Sequence, residues 1–275
     1  MMAKADPFGD RMKSYEKPYL QHTVPRVPMV IRVDGCHFHS FTKGMAKPFD
    51  EVLMESMRGT MAELCASIPG AIFGYTQSDE ISIVCRLADM VDGCEYYEGR
   101  VQKIISVTAS RTTAIFNRLF ASNAERYMGA DDADPSLSRT YGNRLYRAEF
   151  DARVMSIPDW DLYNYLIWRQ SDASRNSISM LAQSMFSSKE LNGKNRSQMM
   201  DMMMSEGVNW NDLDTCQKRG ACCARWGAPR PKWHMDMDMP ILSSDEGRRR
   251  YQSLVEGIGF DDTYAVSVAE RFSCV

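Results

Sequence analysis

The feature that most constrains this chain is an ordered run of six segments between about residues 28 and 157. Residues 28–33 are rich in β-branched side chains and end at Asp34-Gly35, which predicts a strand followed by a turn. Asp50 then precedes apolar side chains at Leu53, Met54, Met57, Met61, Leu64, Cys65 and Ile68. Those spacings of three and four predict an amphipathic helix with Asp50 as its N-cap, ended by Pro69-Gly70. Two short strand-like runs, 71–76 and 81–85, flank Gln77-Ser78-Asp79-Glu80, a hairpin with an acidic tip. Val101, Ile104, Ile105, Thr108, Thr112, Ile115, Phe116 and Leu119 share one face of a second helix. The polar stretch 129–138 reads as an exposed loop, and 148–157 predicts a fourth strand stopped by Pro158. Strand, helix, strand, strand, helix, strand is the ferredoxin-like order: an α+β fold with an antiparallel sheet and helices packed on one face.

Beyond Pro158 the pattern changes. Asp159 could cap a helix carrying Leu162, Tyr165, Leu166 and Arg169, continued or followed by Ile178, Leu181, Ala182 and Met185. The Met-rich run 199–204 predicts a short helix, and 227–231 a turn. The organisation expected is therefore a catalytic region over 1–157 and a mainly helical and irregular region over 158–275 packed on it.

Bulk properties narrow the class. The chain has 275 residues, 44% hydrophobic and 25% charged, the balance of a globular protein. No apolar run approaches the roughly 20 residues of a membrane span, and residues 1–17 lack the apolar stretch of a secretory signal. The expected location is cytoplasmic. Eight scattered cysteines without a Cys-x-x-Cys pair fit reduced thiols. Cys216, Cys222 and Cys223 are too irregularly spaced for a zinc finger and are expected to be small buried residues. A net charge of −3 argues against a generally basic nucleic-acid-coating surface but leaves room for a local basic site.

The chemistry gathers at two acidic positions. Asp34 ends the first strand; Asp79 and Glu80 sit at the hairpin tip before the third. Strands one and three are central neighbours in a ferredoxin-like sheet, so these carboxylates can meet. Clustered carboxylates repel unless a cation compensates them, and Mg²⁺ suits hard oxygen ligands shared with phosphates. Each motif alone is an ordinary turn; on these strands together they point to a metal site. Gly35, Cys36, His37 and Phe38 could present backbone N–H groups to an anion. Lys47, Arg100 and Lys103 are candidates for the other side of a triphosphate. His37 and His39, on either side of Phe38, could donate a proton or stack on a base.

Further segments carry a resemblance: Arg32-Val33-Asp34-Gly35 with Phe38-His39-Ser40-Phe41, Lys47-Pro48-Phe49-Asp50, and residues 75–82 around Ser78-Asp79-Glu80. They continue in Lys103-Ile104 with Ala109-Ser110, Phe150-Asp151-Ala152-Arg153, and Trp168-Arg169-Gln170-Ser171-Asp172. In this order the chain resembles the tRNA-histidine guanylyltransferase family, closest to its guanylyltransferase-like 3′–5′ polymerase relatives. The resemblance implies a polymerase-like palm and two Mg²⁺ ions held by Asp34, Asp79 and the Gly35 carbonyl, with Glu80 completing the catalytic carboxylates. It implies nucleotide binding by Gly35, Cys36, His37, Phe38, His39, Lys47, Ser78, Arg100 and Lys103, and tRNA contacts from Arg169 and Asn176. It also implies tRNA, ATP or GTP and other nucleoside triphosphates as partners, and a homotetramer.

One departure matters. Family members acting on tRNA-histidine carry His-Ile-Asn-Asn after the Trp-Arg-Gln segment, whereas this chain has Ser174-Arg175-Asn176-Ser177. That favours template-directed repair of 5′-truncated tRNA over G−1 addition to tRNA-histidine. The reading from another class, a non-catalytic ferredoxin-like RNA-binding module stacking bases on Phe73 and Tyr75, leaves the acidic cluster without a purpose. A cyclase-like palm does not account for Lys47-Pro48 or Trp168-Arg169-Gln170.

Overall fold

The computed structural model describes residues 6–86, 95–227, 232–256 and 265–267. In chain order the elements are α1 (Pro7–Ser14), β1 (Met29–Gly35), α2 (Phe38–Phe41), α3 (Glu51–Ser67), β2 (Ala71–Gln77) and β3 (Glu80–Cys85). Next come α4 (Val101–Met128), α5 (Pro135–Gly142), β4 (Phe150–Ser156), α6 (Asp159–Met185), α7 (Ser188–Leu191), α8 (Arg196–Ser205) and α9 (Thr215–Arg219). The last are β5 (Ala221–Trp226), β6 (Lys232–Asp236), α10 (Asp245–Val255) and β7 (Ala265–Ser267). All strand pairings are antiparallel, in the order β4-β1-β3-β2-β5-β6-β7.

The four strands β4-β1-β3-β2 with α3 and α4 are the ferredoxin-like unit read from the sequence. Alternation within each strand divides its side chains between two faces. Met29, Ile31 and Val33 of β1 and Ile81 and Ile83 of β3 join Met57, Met61 and Leu64 of α3 and Phe116 and Phe120 of α4 in one core. Val30, Val84, Phe73 and Tyr75 face the other way, onto Leu162, Tyr165 and Leu166 of α6 and Tyr251 and Leu254 of α10. The helices of the first half thus pack on one face, and the region after Pro158 covers the other. A third, Met-rich cluster joins the end of α6 to α8 around Leu181, Leu191 and Met203.

Two details differ from the expectations. The region beyond 158 is not only helical and irregular: β5, β6 and β7 extend the sheet beyond β2. Ala221-Cys222-Cys223-Ala224 is buried on both faces, so it lacks both the polar alternation and the β-branched bulk that signal a strand. The expected loop 129–138 closes into α5, because Asp134 accepts hydrogen bonds from the Ser136 and Leu137 amides and Pro135 opens the first turn. The turn expected at 227–231 lies outside the described residues after Gly227. As expected of buried thiols, Cys222 and Cys223 are fully enclosed; as neighbours on one strand they face opposite sides of the sheet and cannot share a metal.

Candidate active site

The site forms where β1 ends and β3 begins. β1 and β3 run antiparallel in a register that sets Asp34 opposite Glu80, and Asp34 is also opposite Asp151 of β4. Asp79 lies in the Ser78-Asp79 turn between β2 and β3, and the Gly35 amide donates to its carbonyl at 3.2 Å. That bond ties the hairpin tip to the end of β1. Burial, and then the neighbouring Asp34 carboxylate, push the Asp79 carboxyl above its ordinary range, while the Ser78 hydroxyl, 3.0 Å away, pulls it down. Asp34 and Asp79 therefore feel each other's charge, as the sequence predicts.

The turn after Asp34 is held from inside. The Phe38 ring packs in the core against Phe41 (4.9 Å between centroids), Phe150 (5.0 Å) and Phe116 (5.8 Å). A Cβ on Gly35 would stand 2.2 Å from Phe38 Cδ2, so glycine is required where the backbone crosses this ring. His37, with φ 56°, turns the chain into α2. The amides of Gly35 and Cys36 are spent on the carbonyls of Asp79 and Glu149. Cys36 has acidic surroundings: burial and then the charges of Asp151 and Glu149 hold its thiol above the ordinary range. The Phe38 ring, being in the core, is available to a ligand only at its edge.

Beside this turn is a cleft of about 480 Å³ lined by His39, Lys43, Lys47, Ser78 and Asp79 on one side and Met180 and Gln183 of α6 on the other. The buried Asp50 shapes it. Its carboxylate caps α3 at the Leu53 amide (2.9 Å), holds the Ala46 amide (2.9 Å) and accepts from the Tyr141 hydroxyl (2.8 Å). The loop carrying Lys47 is thereby fixed over the cleft while Lys47 itself stays exposed. Asn176 is exposed on the lining of an adjoining pocket that shares Ser78, Asp50 and Met180 with the cleft. His39, Lys47, Ser78, Asp79 and Asn176 are therefore brought together.

Four other candidates are not. Glu80 is buried, and its carboxylate accepts from Arg169 Nε at 2.7 Å. Glu80 stays on the same sheet face as Asp34, whose charge raises its carboxyl, but its carboxylate is spent on Arg169, which is buried and also bound to Asp172 at 2.9 Å. Arg100 and Lys103 lie at the opposite end of the sheet. Thr113 of α4 is the residue beside Phe150, which pairs with Gly35. Lys103 is ten residues earlier, about 15 Å along the helix axis. There Lys103 lies over the Tyr97 ring at 5.3 Å, and Arg100 pairs with Glu98 at 3.4 Å. Within one chain neither reaches the cleft, because a helix that follows β3 must start at that strand's far end. Lys43 and Asp151 belong to the site's surroundings and were missed; β4 alternation around Asp151 was the available signal.

Magnesium fits this donor set in kind. Asp34 and Asp79 are hard oxygen donors whose mutual repulsion a cation relieves, and Gly35 follows Asp34 directly with its amide tied to the Asp79 carbonyl. Among the described residues no group of three or more His, Cys, Asp or Glu side chains is gathered closely enough to hold a metal by itself.

The sheet with paired carboxylates at the junction of its central strands, beside a lysine-lined cleft, accommodates nucleotidyl transfer, and the likeness to known proteins fixes the class as a nucleotidyltransferase. The family model described as tRNAHis guanylyltransferase matches residues 9–158. A mimivirus protein of uncharacterised function is 30% identical over 230 residues, 78% of this chain and 76% of that protein. A probable tRNA(His) guanylyltransferase of Dictyostelium discoideum is 29% identical, over 61% of this chain and 58% of its own length. Among solved structures, a bacterial tRNA(His) guanylyltransferase-like protein in complex with ATP superposes with a TM-score of 0.75 at 42% identity, covering 90% of this chain and 98% of that one. Such a protein in complex with GTP gives 0.73 at 39% identity, covering 91% and 99%. The chain belongs to the tRNAHis guanylyltransferase family.

Proposed function

We propose that this protein adds nucleotides to the 5′ end of tRNA in the 3′–5′ direction, repairing truncated ends on a template after activating them with ATP or GTP. The observation that carries the reading is the meeting of Asp34 and Asp79 at the strand junction beside a cleft that presents Lys47, Ser78 and His39. The nucleotide complexes of the bacterial guanylyltransferase-like proteins, at about 40% identity, support a nucleoside triphosphate as the occupant of that cleft.

In this reading Mg²⁺, two ions held through Asp34, Asp79 and the Gly35 carbonyl, would activate the attacking oxygen and steady the leaving phosphate. The protein's own part is placement and charge. Lys47 faces phosphate oxygens as a point charge, and Ser78 holds the Asp79 carboxylate in position. Asn176 offers amide hydrogen bonds at the cleft's extension. First the tRNA 5′-monophosphate attacks the α-phosphate of the activating nucleotide and pyrophosphate leaves. Then the 3′-hydroxyl of the incoming nucleotide attacks the activated 5′ phosphate and the activating nucleoside monophosphate leaves.

Repair is preferred over G−1 addition because Ser174-Arg175 replaces the start of the His-Ile-Asn-Asn segment, so its histidine is absent while Asn176 is kept. Where tRNA-histidine enzymes carry the His-Ile-Asn-Asn segment, this chain places an arginine bound at 2.6 Å to Asp172, which in turn holds Arg169. G−1 addition is the second reading, favoured by the names of the curated relatives. The homotetramer belongs to the same proposal.

A gel assay decides between them. Purified protein is given 5′-monophosphorylated tRNA lacking its first nucleotide, four nucleoside triphosphates and Mg²⁺, beside full-length tRNA-histidine. Stronger templated extension of the truncated tRNA supports repair. Extension of tRNA-histidine alone transfers the assignment to G−1 addition, and extension of neither removes both.

A further inference from the structure

Beside Asp34, on the sheet face that α6 leaves open, two rows of like charge follow one another. Asp34 is directly opposite Asp151, and two residues back along the same strands Arg32 is directly opposite Arg153. Like charges facing each other across antiparallel strands are destabilising unless a counter-charge lies between them. The carboxylate row adjoins the site already described. The guanidinium row is only partly matched, by Asp151 beside Arg153 and by Glu80 near Arg32. Arg153 is half exposed and lies 3.6 Å from Asp151, while the Arg32 Nε is enclosed without a hydrogen-bond partner among the described residues. Both residues alternate onto the same face as Asp34, so the pair is about 7 Å from it along the strand.

The wall next to this row is aromatic. Trp168 of α6 is 49% exposed, although its neighbours Tyr165, Leu166 and Arg169 are buried. The Arg32 guanidinium lies 5.9 Å from the Trp168 ring centroid and that of Arg169 lies 4.3 Å from it. A half-open indole stiffened by guanidiniums, next to a pair of arginines of which Arg32 keeps an unpartnered Nε among the described residues, has the two parts of a nucleotide platform: a π-face for a base and a charge pair for its phosphate.

We infer that Trp168, Arg32 and Arg153 form a binding site for one phosphorylated nucleotide of an RNA strand, its base stacked on Trp168 and its phosphate between the two arginines. The inference rests on the tRNA reading above and deepens it by placing the RNA end on the open sheet face, separate from the triphosphate cleft that opens near Lys47. From there the strand reaches Asp34 within one nucleotide's length.

The test is binding, which needs no turnover. Fluorescently labelled tRNA transcript with a 5′-monophosphate and no first nucleotide is titrated with wild type, Trp168→Ala, Trp168→Leu and Trp168→Phe, and ATP affinity is measured on the same proteins by calorimetry. Expected are a roughly tenfold or greater loss of RNA affinity in the Ala and Leu variants, near-wild-type RNA affinity in the Phe variant, and unchanged ATP affinity in all. Arg153→Ala should lower the salt dependence of RNA binding by about one phosphate contact. RNA affinity unchanged in Trp168→Leu overturns the site. ATP affinity lost while RNA affinity holds also overturns it, since the base held there would then be a free nucleotide's. Loss of RNA affinity in a protein that extends no tRNA would support the platform and remove the repair reading alone.

Discussion

Arg169 donates through Nε to the Glu80 carboxylate at 2.7 Å, with both side chains less than a tenth exposed. Burial drives the Glu80 carboxyl upward, while Arg169 and then Arg32 oppose it. A buried charge deprived of its partner is costly, so Arg169→Met should lose about 3–5 kcal/mol of stability. Replacing both, as Arg169→Met with Glu80→Gln, should recover most of that loss. Urea denaturation of the two variants checks this; a single variant as stable as wild type would mean the pair contributes little.

Asp79 has a clear pH signature. In the folded protein it keeps its proton to higher pH than in the unfolded chain, because of burial and of Asp34. Ionising it therefore costs the folded state. The cost is absent below the ordinary carboxylate range, near about 4, and complete above the raised value. Asp79→Asn should raise the melting temperature at neutral pH in metal-free buffer, with the gain vanishing as the pH falls. Its nucleotide-addition activity should fall to background. A destabilised Asp79→Asn protein at neutral pH would show that the carboxylate is already compensated by the fold.

Lys47 stands exposed over the cleft on a loop pinned by Asp50. A charge-assisted contact contributes about 1.5–3 kcal/mol, so Lys47→Ala should weaken ATP binding by about tenfold or more without changing the melting temperature. Calorimetric titration with ATP and Mg²⁺ reads it. Unchanged affinity would take Lys47 out of the phosphate site.

The Gly35 backbone passes so close to Phe38 that an added methyl group would meet the ring at 2.2 Å. Gly35→Ala should cost about 1–3 kcal/mol as an overpacked site, and should reduce activity because the shift falls beside Asp34. A second change, Phe38→Leu, should restore part of the stability lost by Gly35→Ala. No recovery would mean that the backbone, rather than the ring, yields.

What could be read in the sequence was whatever local order controls. The β-branched run before Asp34, the three-and-four spacing after the Asp50 cap and the acidic hairpin tip each act within a few residues, and together they determine the ferredoxin-like half and place Asp34 near Asp79. Side-chain partnership between distant segments was not legible. Glu80 stands next to Asp79 in sequence, yet alternation turns its carboxylate towards Arg169, 89 residues away. Arg100 and Lys103 look close to the acidic tip in sequence, yet α4 starts at the far end of the sheet and carries them away from the cleft. The run from Ala221 to Ala224 hides a strand because burial on both faces removes the alternation that marks one. The sequence by itself determined that Asp34 and Asp79 lie near each other, through strand order and a two-residue turn. Only the tertiary structure decided which charges are free to act, because that depends on burial and on which distant guanidinium reaches each carboxylate first.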